Sequence, residues 1–263
     1  MRVFISLVSH LHQHVIINLG TARLLAEYPE IEVVCRDNIP TGMLQKACEN
    51  YGVHYVANDK PCGFATNNNA NFIYCQQALG MKGEDVFITF NPDIYMTRSA
   101  IERLLGELRR LRPLLAVPNL FLDKEEFVFD DNIRLYPKLS HFIKTYLFND
   151  RSTMVNRKGG LSKDQSYWAS GAFLIFRAEL YQKMKGLDEQ YYMYCEDIDA
   201  CARLELQGIN FHYLEDVKAV HFRRRDSKRF LTKYFFWHVC SVFRYSFSSR
   251  TFEAKKTQLK KDG

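Results

Sequence analysis

DVFITFNPD, residues 85–93, is the stretch on which the fold turns. Asp85–Phe90 reads as a strand, its residues after Asp85 an unbroken apolar and β-branched run without polar alternation, as in a sheet covered on both faces. It stops at Asn91-Pro92-Asp93, three residues that favour a turn. Working outward, the same unit recurs. Val3–Val8, Ile31–Cys35, Val53–Val56 and Leu114–Val117 read as further strands. Between them Thr21–Tyr28, Thr41–Tyr51, Asn68–Leu79 and Arg98–Leu111 read as helices, with Gly52 and Gly80 as stops. Strands separated by helices of this length mean βαβ units, so the chain is expected to be α/β, a mainly parallel central sheet with helices on both faces.

Ligands of such sheets bind at the carboxyl ends of the strands. Three of those ends are polar: Asp37-Asn38 after the second strand, the loop Gly63–Asn69 after the third, and Asn91-Pro92-Asp93 after the fourth. Each by itself is also an ordinary turn. None has the glycine pattern of a dinucleotide fold or a P-loop, so both of those classes lack their fingerprint.

The second half is less regular. Val128–Pro137 reads as an edge strand, Lys138–Gln165 as an irregular polar binding loop, and Trp168–Phe176 as one buried strand. An aromatic cluster, Tyr191–Tyr194, precedes Cys195-Glu196-Asp197-Ile198-Asp199 at the start of a helix that runs to Leu206 and ends at Gly208. A last strand, Asn210–Tyr213, leads by a short turn to Ala219–Phe222.

Composition narrows the class. With 263 residues, 47% hydrophobic and 25% charged, the chain has enough apolar material for a large core and is no disordered or fibrous sequence. No run approaches the roughly 18 apolar residues of a membrane span. The start, MRVFISLVSH, is too short for a signal peptide and reads as the first strand. Seven scattered cysteines without a CxxC pair support neither zinc nor disulfides, so reduced, mostly buried thiols and a cytoplasmic address are expected. The net charge of +6 is uneven: residues 222–263 carry 12 Lys and Arg against 3 Asp and Glu, leaving the remainder slightly acidic. If Arg229–Phe247 is helical, Leu231, Phe235, His238 and Val242 form a stripe that packs on the domain. The opposite side then carries Arg229, Lys233 and Arg244 flanked by Phe230, Phe236 and Trp237, the make-up of a helix lying on a membrane surface; burial in a homodimer is the alternative. A nucleic-acid partner would need a basic face interleaved with stacking aromatics and is not expected.

Several residues carry chemistry. Asp93 at a strand end suits a hard cation completed by diphosphate oxygens and water. His221 ends an apolar strand, either as a core residue or as a ligand favouring Mn²⁺ over Mg²⁺. Glu196, Asp197 and Asp199 cap a helix, or one of them is a half-buried general base beside the aromatics. Trp168 and Tyr191–Tyr194 either stack on sugar faces or pack in the core.

Taken in order, Asn91-Pro92-Asp93, Trp168–Ala172, GLDEQYYMYCEDIDACAR (Gly186–Arg203) and Ala219–Phe222 resemble glycosyltransferase family 2, in particular its bacterial O-antigen and cell-wall rhamnosyltransferases. The resemblance covers about the first 225 residues. It implies a GT-A domain over 1–222, with a nucleotide-donor half to about 120 and an acceptor half from 121, and a basic membrane-associating tail over 223–263. It implies an inverting transfer with Asp197 as base, Glu196 beside it, and a divalent cation, Mn²⁺ or Mg²⁺, on Asp93 and His221. Asp37 matches the aspartate that holds nucleobase or ribose. Ser9, Asn38, Gly63, Phe64, Asn68 and Asn91 join Asp37 and Asp93 at the nucleotide and donor sugar, and Trp168, Ser170, Gly171 and Tyr194 fall at the acceptor. The family context implies dTDP-rhamnose as donor and a polyprenyl-diphosphate-linked saccharide as acceptor, at the inner face of the cytoplasmic membrane. UDP-galactose is an alternative donor, and an inactive nucleotide-binding scaffold is the alternative of another class. One feature departs from the pattern: Asn91-Pro92-Asp93 holds a single carboxylate where many relatives have two or three, so metal binding is expected to be weak without nucleotide, or less essential.

Overall fold

The structure, a computed structural model, describes residues 1–162, 164–223 and 233–259. Its centre is the buried run on which the sequence reading turned. β1 (Val3–Ser9) pairs in parallel with β2 (Ile31–Asp37) on one side and β4 (Val86–Phe90) on the other, and β3 (His54–Ala57) extends the sheet beyond β2. On the far side of β4 lie β9 (Phe173–Arg177), β6 (Leu115–Phe121), β10 (His212–His221) and β5 (Ile94–Tyr95), giving the order β3-β2-β1-β4-β9-β6-β10-β5. Only β9 and β5 run antiparallel to their neighbours. The expected mainly parallel sheet is present, and every residue of β4 and β6 is buried.

Helices cover both faces because each has one apolar stripe to bury. Against one face pack α1 (Gln13–Leu19), α2 (Thr21–Ala26), α3 (Gly42–Tyr51) and α5 (Arg98–Leu111), the last through Ile101, Leu104, Leu105 and Leu108. On the other lie α4 (Phe64–Gln77), α7 (Ala178–Lys183) and α8 (Glu196–Glu205), around Phe72, Phe87, Phe176 and Tyr181. α1 and α7 are only 7 and 6 residues long, too short to announce themselves by periodicity.

Four sequence expectations change. Gly63–Asn69 is not a loop: Gly63 is the N-cap of α4, and Asn67, Asn68, Asn69 and Asn71 are buried on that helix with their amides bonded internally. Trp168–Phe176 is not one strand. β8 (Tyr167–Ala169) pairs with β7 (Ile133–Leu135) in a separate two-stranded sheet, and the chain breaks at 170–172 before entering β9. The stretch expected to be irregular contains α6 (Leu139–Phe148). The two short terminal strands are one, β10, whose register shifts between Leu214 and Lys218.

α9 (Lys233–Phe247) follows and packs on α6, with His238 edge-on to Phe142 and with Val242 and Tyr245 buried. The chain then turns back, and Glu189 N–H donates to Lys256 O while Ala254 N–H donates to Met184 O. All seven cysteines are free thiols, and five of them are buried. Among the described residues no helix is long and apolar enough to cross a membrane.

Candidate active site

The break at 170–172 exists because its backbone is committed elsewhere. Ala172 C=O accepts from Asn91 N–H at 2.8 Å, Gly171 C=O accepts from the Thr89 hydroxyl at 2.7 Å, and Gly171 N–H donates to Asp197 Oδ2 at 3.0 Å. One turn therefore joins the end of β4 to the start of α8, and brings the expected metal aspartate and the expected base to the same edge of the sheet.

On the β4 side, Asp93 is placed by the pairing of β5 with β10. Ile94 stands opposite His221, and Phe222 N–H donates to Asp93 C=O at 3.1 Å. The side chains meet as well, Asp93 Oδ1 lying 3.3 Å from His221 Nε2. Burial works to raise the Asp93 carboxyl, but the hydrogen bond and charge of His221, with smaller help from the backbone and His12, outweigh it and leave the group below its ordinary value. The other ring nitrogen, Nδ1, is 2.6 Å from Asp130 Oδ2. Asp130 is fully buried, and the Arg223 guanidinium abuts its second oxygen. A carboxylate oxygen and an imidazole nitrogen are a fitting pair for Mn²⁺, with diphosphate and water supplying the remaining ligands. Among the described residues no group of three or more His, Cys, Asp or Glu is arranged to hold an ion by itself. A two-donor site agrees with the single carboxylate of Asn91-Pro92-Asp93.

On the α8 side, Tyr194 and Cys195 take left-handed backbone angles, φ 70° and 64°, in residues with a Cβ. Such strain persists only where the surroundings over-determine it, and here it turns the aromatic loop sharply into the helix. Asp197 accepts from Gly171 N–H and from Ile198 N–H, the latter at 2.8 Å. Burial pushes its carboxyl up, and the two N–H groups and Arg134 only partly oppose this. Glu196 is buried beside it and is pushed well up, first by burial and then by the charge of Asp197; its Oε2 has no hydrogen-bond partner among the described residues. Asp199 belongs to the interior instead. It pairs with buried Arg203 at 2.8 Å, and Arg203 also donates to the carbonyls of Met184, Gly186 and Phe252.

Two glycines let the pieces close. A Cβ on Gly63 would stand 2.3 Å from Tyr192 O, the carbonyl to which Phe64 N–H donates at 3.0 Å. A Cβ on Gly171 would lie 3.1 Å from the Phe64 ring, so Phe64 forms a wall beside Asp197.

At the ends of β1 and β2, Asp37 Oδ2 accepts from Thr41 N–H and the Tyr55 hydroxyl, while its buried Oδ1 has no partner among the described residues. That orphaned acceptor at a strand end is what a nucleobase or ribose donor would satisfy. Ser9 and Asn38 line this end by supporting it: Asn38 N–H donates to Ser9 C=O, and the Asn38 amide is taken up by Cys62 and Asn58.

Two expected contacts move inward. Asn68 is fully buried, bonded to Ser6 and the Phe64 carbonyl, so it anchors α4 instead of facing a ligand. Trp168 is buried with its indole N–H donated to Leu135 C=O. Trp237 is half-buried with its ring tilted against Tyr192 at 4.4 Å, while Arg244 stays exposed and donates to Gln190. Ser170 and Tyr194 stay partly open, Tyr194 edge-on to His238. Arg229 and the side chain of Lys233 lie outside the described residues. Asp130 and Arg134 escaped the sequence reading, because they sit in or beside a short strand far from any recognisable spacing.

No protein-family model matches the chain. It is 31% identical over 244 residues to "Rhamnosyltransferase WbbL" of Escherichia coli K12, covering 92% of each chain. It is 26% identical to an "N-acetylglucosaminyl-diphospho-decaprenol L-rhamnosyltransferase" of Mycobacterium tuberculosis, over 80% of this chain and 72% of that one. Among solved structures, mannosyltransferase PcManGT of Pyrobaculum calidifontis with GDP-Man and Mn²⁺ superposes with a TM-score of 0.59 at 14% identity, over 95% of this chain and 65% of that one. S. aureus TarS with UDP-GlcNAc gives 0.55 at 13%, over 86% and 59%. The chain thus spans under two thirds of either solved protein, and these two likenesses speak for the fold alone.

Proposed function

The chain belongs to glycosyltransferase family 2 as a GT-A enzyme similar to rhamnosyltransferases, and from that premise we propose that it transfers L-rhamnose from dTDP-rhamnose, with inversion, to a hydroxyl of a polyprenyl-diphosphate-linked saccharide. The observation that carries the reading is the turn at Gly171-Ala172, which binds Asp197 on one side and the end of β4 that leads into Asp93 on the other.

In this mechanism the half up to about residue 120 holds the donor, with Asp37 Oδ1 accepting from base or ribose, and residues 121–222 hold the acceptor. Asp197, aimed by the N–H groups of Gly171 and Ile198, takes the proton of the acceptor hydroxyl as that oxygen attacks the anomeric carbon from the face opposite the diphosphate. Arg134 favours the ionised form of Asp197 that this step needs. Asp93 and His221 are the residues that would hold a divalent cation, whose charge offsets the negative charge growing on the leaving diphosphate.

A second part of the reading concerns where the enzyme works. On α9, Phe236, Phe243 and Phe247 share one stripe on the side away from Val242 and Tyr245, and they are 55%, 54% and 72% exposed. Ile143, Leu147 and Phe148 of the adjoining α6 are exposed as well. With the basic excess of the C-terminal stretch, these apolar residues suit the surface of an anionic bilayer, where a lipid-linked acceptor would reside. The apolar stripe takes the part that the sequence assigned to Trp237, while Arg244 on the same helix stays exposed.

Thermal shifts with dTDP, UDP, GDP and CMP, each with and without Mn²⁺, test the donor. A ligand at 100 Kd adds about 2.7 kcal/mol. A dTDP-selective, metal-assisted shift followed by turnover of dTDP-rhamnose supports the proposal. A UDP-selective shift replaces it with a hexosyl donor, a nucleotide shift without turnover of any sugar donor favours the inactive scaffold, and no shift at millimolar nucleotide overturns the transferase reading. Flotation with phosphatidylglycerol vesicles tests the surface: Phe243→Ser/Phe247→Ser should stay with the soluble fraction, and unchanged flotation would discard the membrane reading.

A further inference from the structure

We propose that Asp130 is the positioning residue of the cation site: paired with Arg223, it holds the Nδ1 proton of His221 and so presents Nε2 to Asp93. The inference rests on reading Asp93 and His221 as the cation-holding pair. Asp130 lies 91 positions from His221 in sequence and comes from the segment between β6 and β7, yet its Oδ2 is 2.6 Å from Nδ1. It has no exposed surface, and the His221 side chain is 10% exposed. A carboxylate so buried is costly unless a cation pairs with it, and the guanidinium of Arg223 does so at the second oxygen. Arg223 itself has a left-handed conformation, φ 41°, two residues beyond the end of β10.

The backbone under Asp130 is fixed as firmly as its side chain. Asp130 N–H donates to Leu120 C=O at 2.9 Å, and the fully buried Arg157 donates to the carbonyls of both Asp130 and Leu120 at 2.9 and 3.0 Å. Arg157 has no access to ligand at 1% exposure, and its role is to brace this segment. The carboxylate, paired with Arg223 at its other oxygen, acts as acceptor, and the ring donates to it from Nδ1. The opposite nitrogen is then the one facing Asp93 and the Asn91 amide, at 3.3 and 3.5 Å. Carboxylate–histidine pairs of this kind fix the tautomer and the ring plane of a metal-ligating imidazole, and losing the partner typically weakens metal affinity about 10–100-fold.

Two measurements on the full chain test this. In long-range ¹H–¹⁵N spectra, with His221 assigned by comparison with His221→Gln, the neutral ring of the wild-type protein should carry its proton on Nδ1. A ring protonated at Nε2 but bare at Nδ1 would overturn the proposal without any need for an Asp130 variant. Second, Mn²⁺ binding in the presence of dTDP is followed by the loss of the free-ion EPR signal. Asp93→Asn and His221→Gln should abolish metal-assisted binding, and Asp130→Asn should weaken it about 10–100-fold while shifting the His221 tautomer. If the first two variants lose Mn²⁺ and Asp130→Asn binds like wild type, the positioning role is wrong and the cation pair stands. If Asp93→Asn and His221→Gln bind Mn²⁺ like wild type, the cation reading fails. The metal-site role assigned to Asp130 is then overturned with it, and the spectra report only whether Asp130 sets the tautomer.

Discussion

Asp93 and Asp197 sit on either side of one turn, and burial acts on both to raise the carboxyl, yet they finish in opposite states. Asp93 ends below the ordinary carboxylate range because the hydrogen bond and charge of His221, 3.3 Å away, outweigh burial. Asp197 ends above it because most of its partners are neutral N–H groups, with Arg134 acting only through its charge, and with Glu196 crowding the same helix start. Desolvation is common to the two; what differs is whether a charge or a dipole meets the carboxylate. The first arrangement suits a group that must stay anionic against a cation and a diphosphate. The second suits a group that must take up a proton.

The sharpest way to break this comparison is Asp197→Asn. A general base supplies about 10²–10⁴-fold, so kcat should fall by the equivalent of about 3–5 kcal/mol while Mn²⁺-assisted nucleotide binding persists. Equal loss of nucleotide binding would mean the two sides are not separable. Asp93→Asn should do the reverse, removing the Mn²⁺-assisted thermal shift and lowering kcat by about 10²–10³-fold, the usual scale for losing one transition-state charge partner. Next in size is Gly63→Ala. The new Cβ would have to displace the Tyr192 carbonyl, at a cost of about 1–3 kcal/mol and a fall in Tm of several degrees. Because that carbonyl belongs to the loop entering α8, activity should drop with the Asp93 side left intact; a loss of Mn²⁺ binding here would contradict the assignment.

Glu196→Gln carries the smallest effect and has a distinctive sign. Glu196 has a raised folded pKa, so its contribution to stability is full below the unfolded carboxylate value and is lost as pH rises through the folded one. At neutral pH, above the unfolded value, the acid therefore costs stability, and the neutral amide should raise Tm by a few degrees, each pKa unit being worth about 1.4 kcal/mol. The gain should vanish in acid; an equal gain at both pH values would place the cause in packing. For wild type, kcat should climb with pH on an acid limb lying above the ordinary carboxylate range, as the Asp197 base ionises.

How much of this was legible in advance varies by residue. The β-branched runs and the helix over Arg98–Leu111 were plain, since their apolar spacing is local and strong. Asp93, His221 and Asp197 were visible through ordered motifs, and the structure brings each to the same edge. Asn68 and Trp168 misled because polarity and aromatic character do not reveal a facing direction: buried amides on α4 are paired within the fold, and the indole N–H is spent on a backbone carbonyl. α6 was hidden in a polar stretch, although Ile143, Leu147 and Phe148 on it are exposed apolar residues.

The sequence by itself determined the alternation of strands and helices, the polar strand ends and the lone carboxylate of Asn91-Pro92-Asp93. Each of these depends on residues a few positions apart, where propensity and periodicity act. Tertiary contacts alone set which carboxyl falls below its ordinary range, which nitrogen of His221 faces Asp93, and why Gly63 has no room for a side chain. Those outcomes depend on groups such as Asp130 and His221 meeting across 91 residues, and on the water excluded when they meet. A carboxylate takes its character from its neighbours and its burial, and neither is written in local spacing.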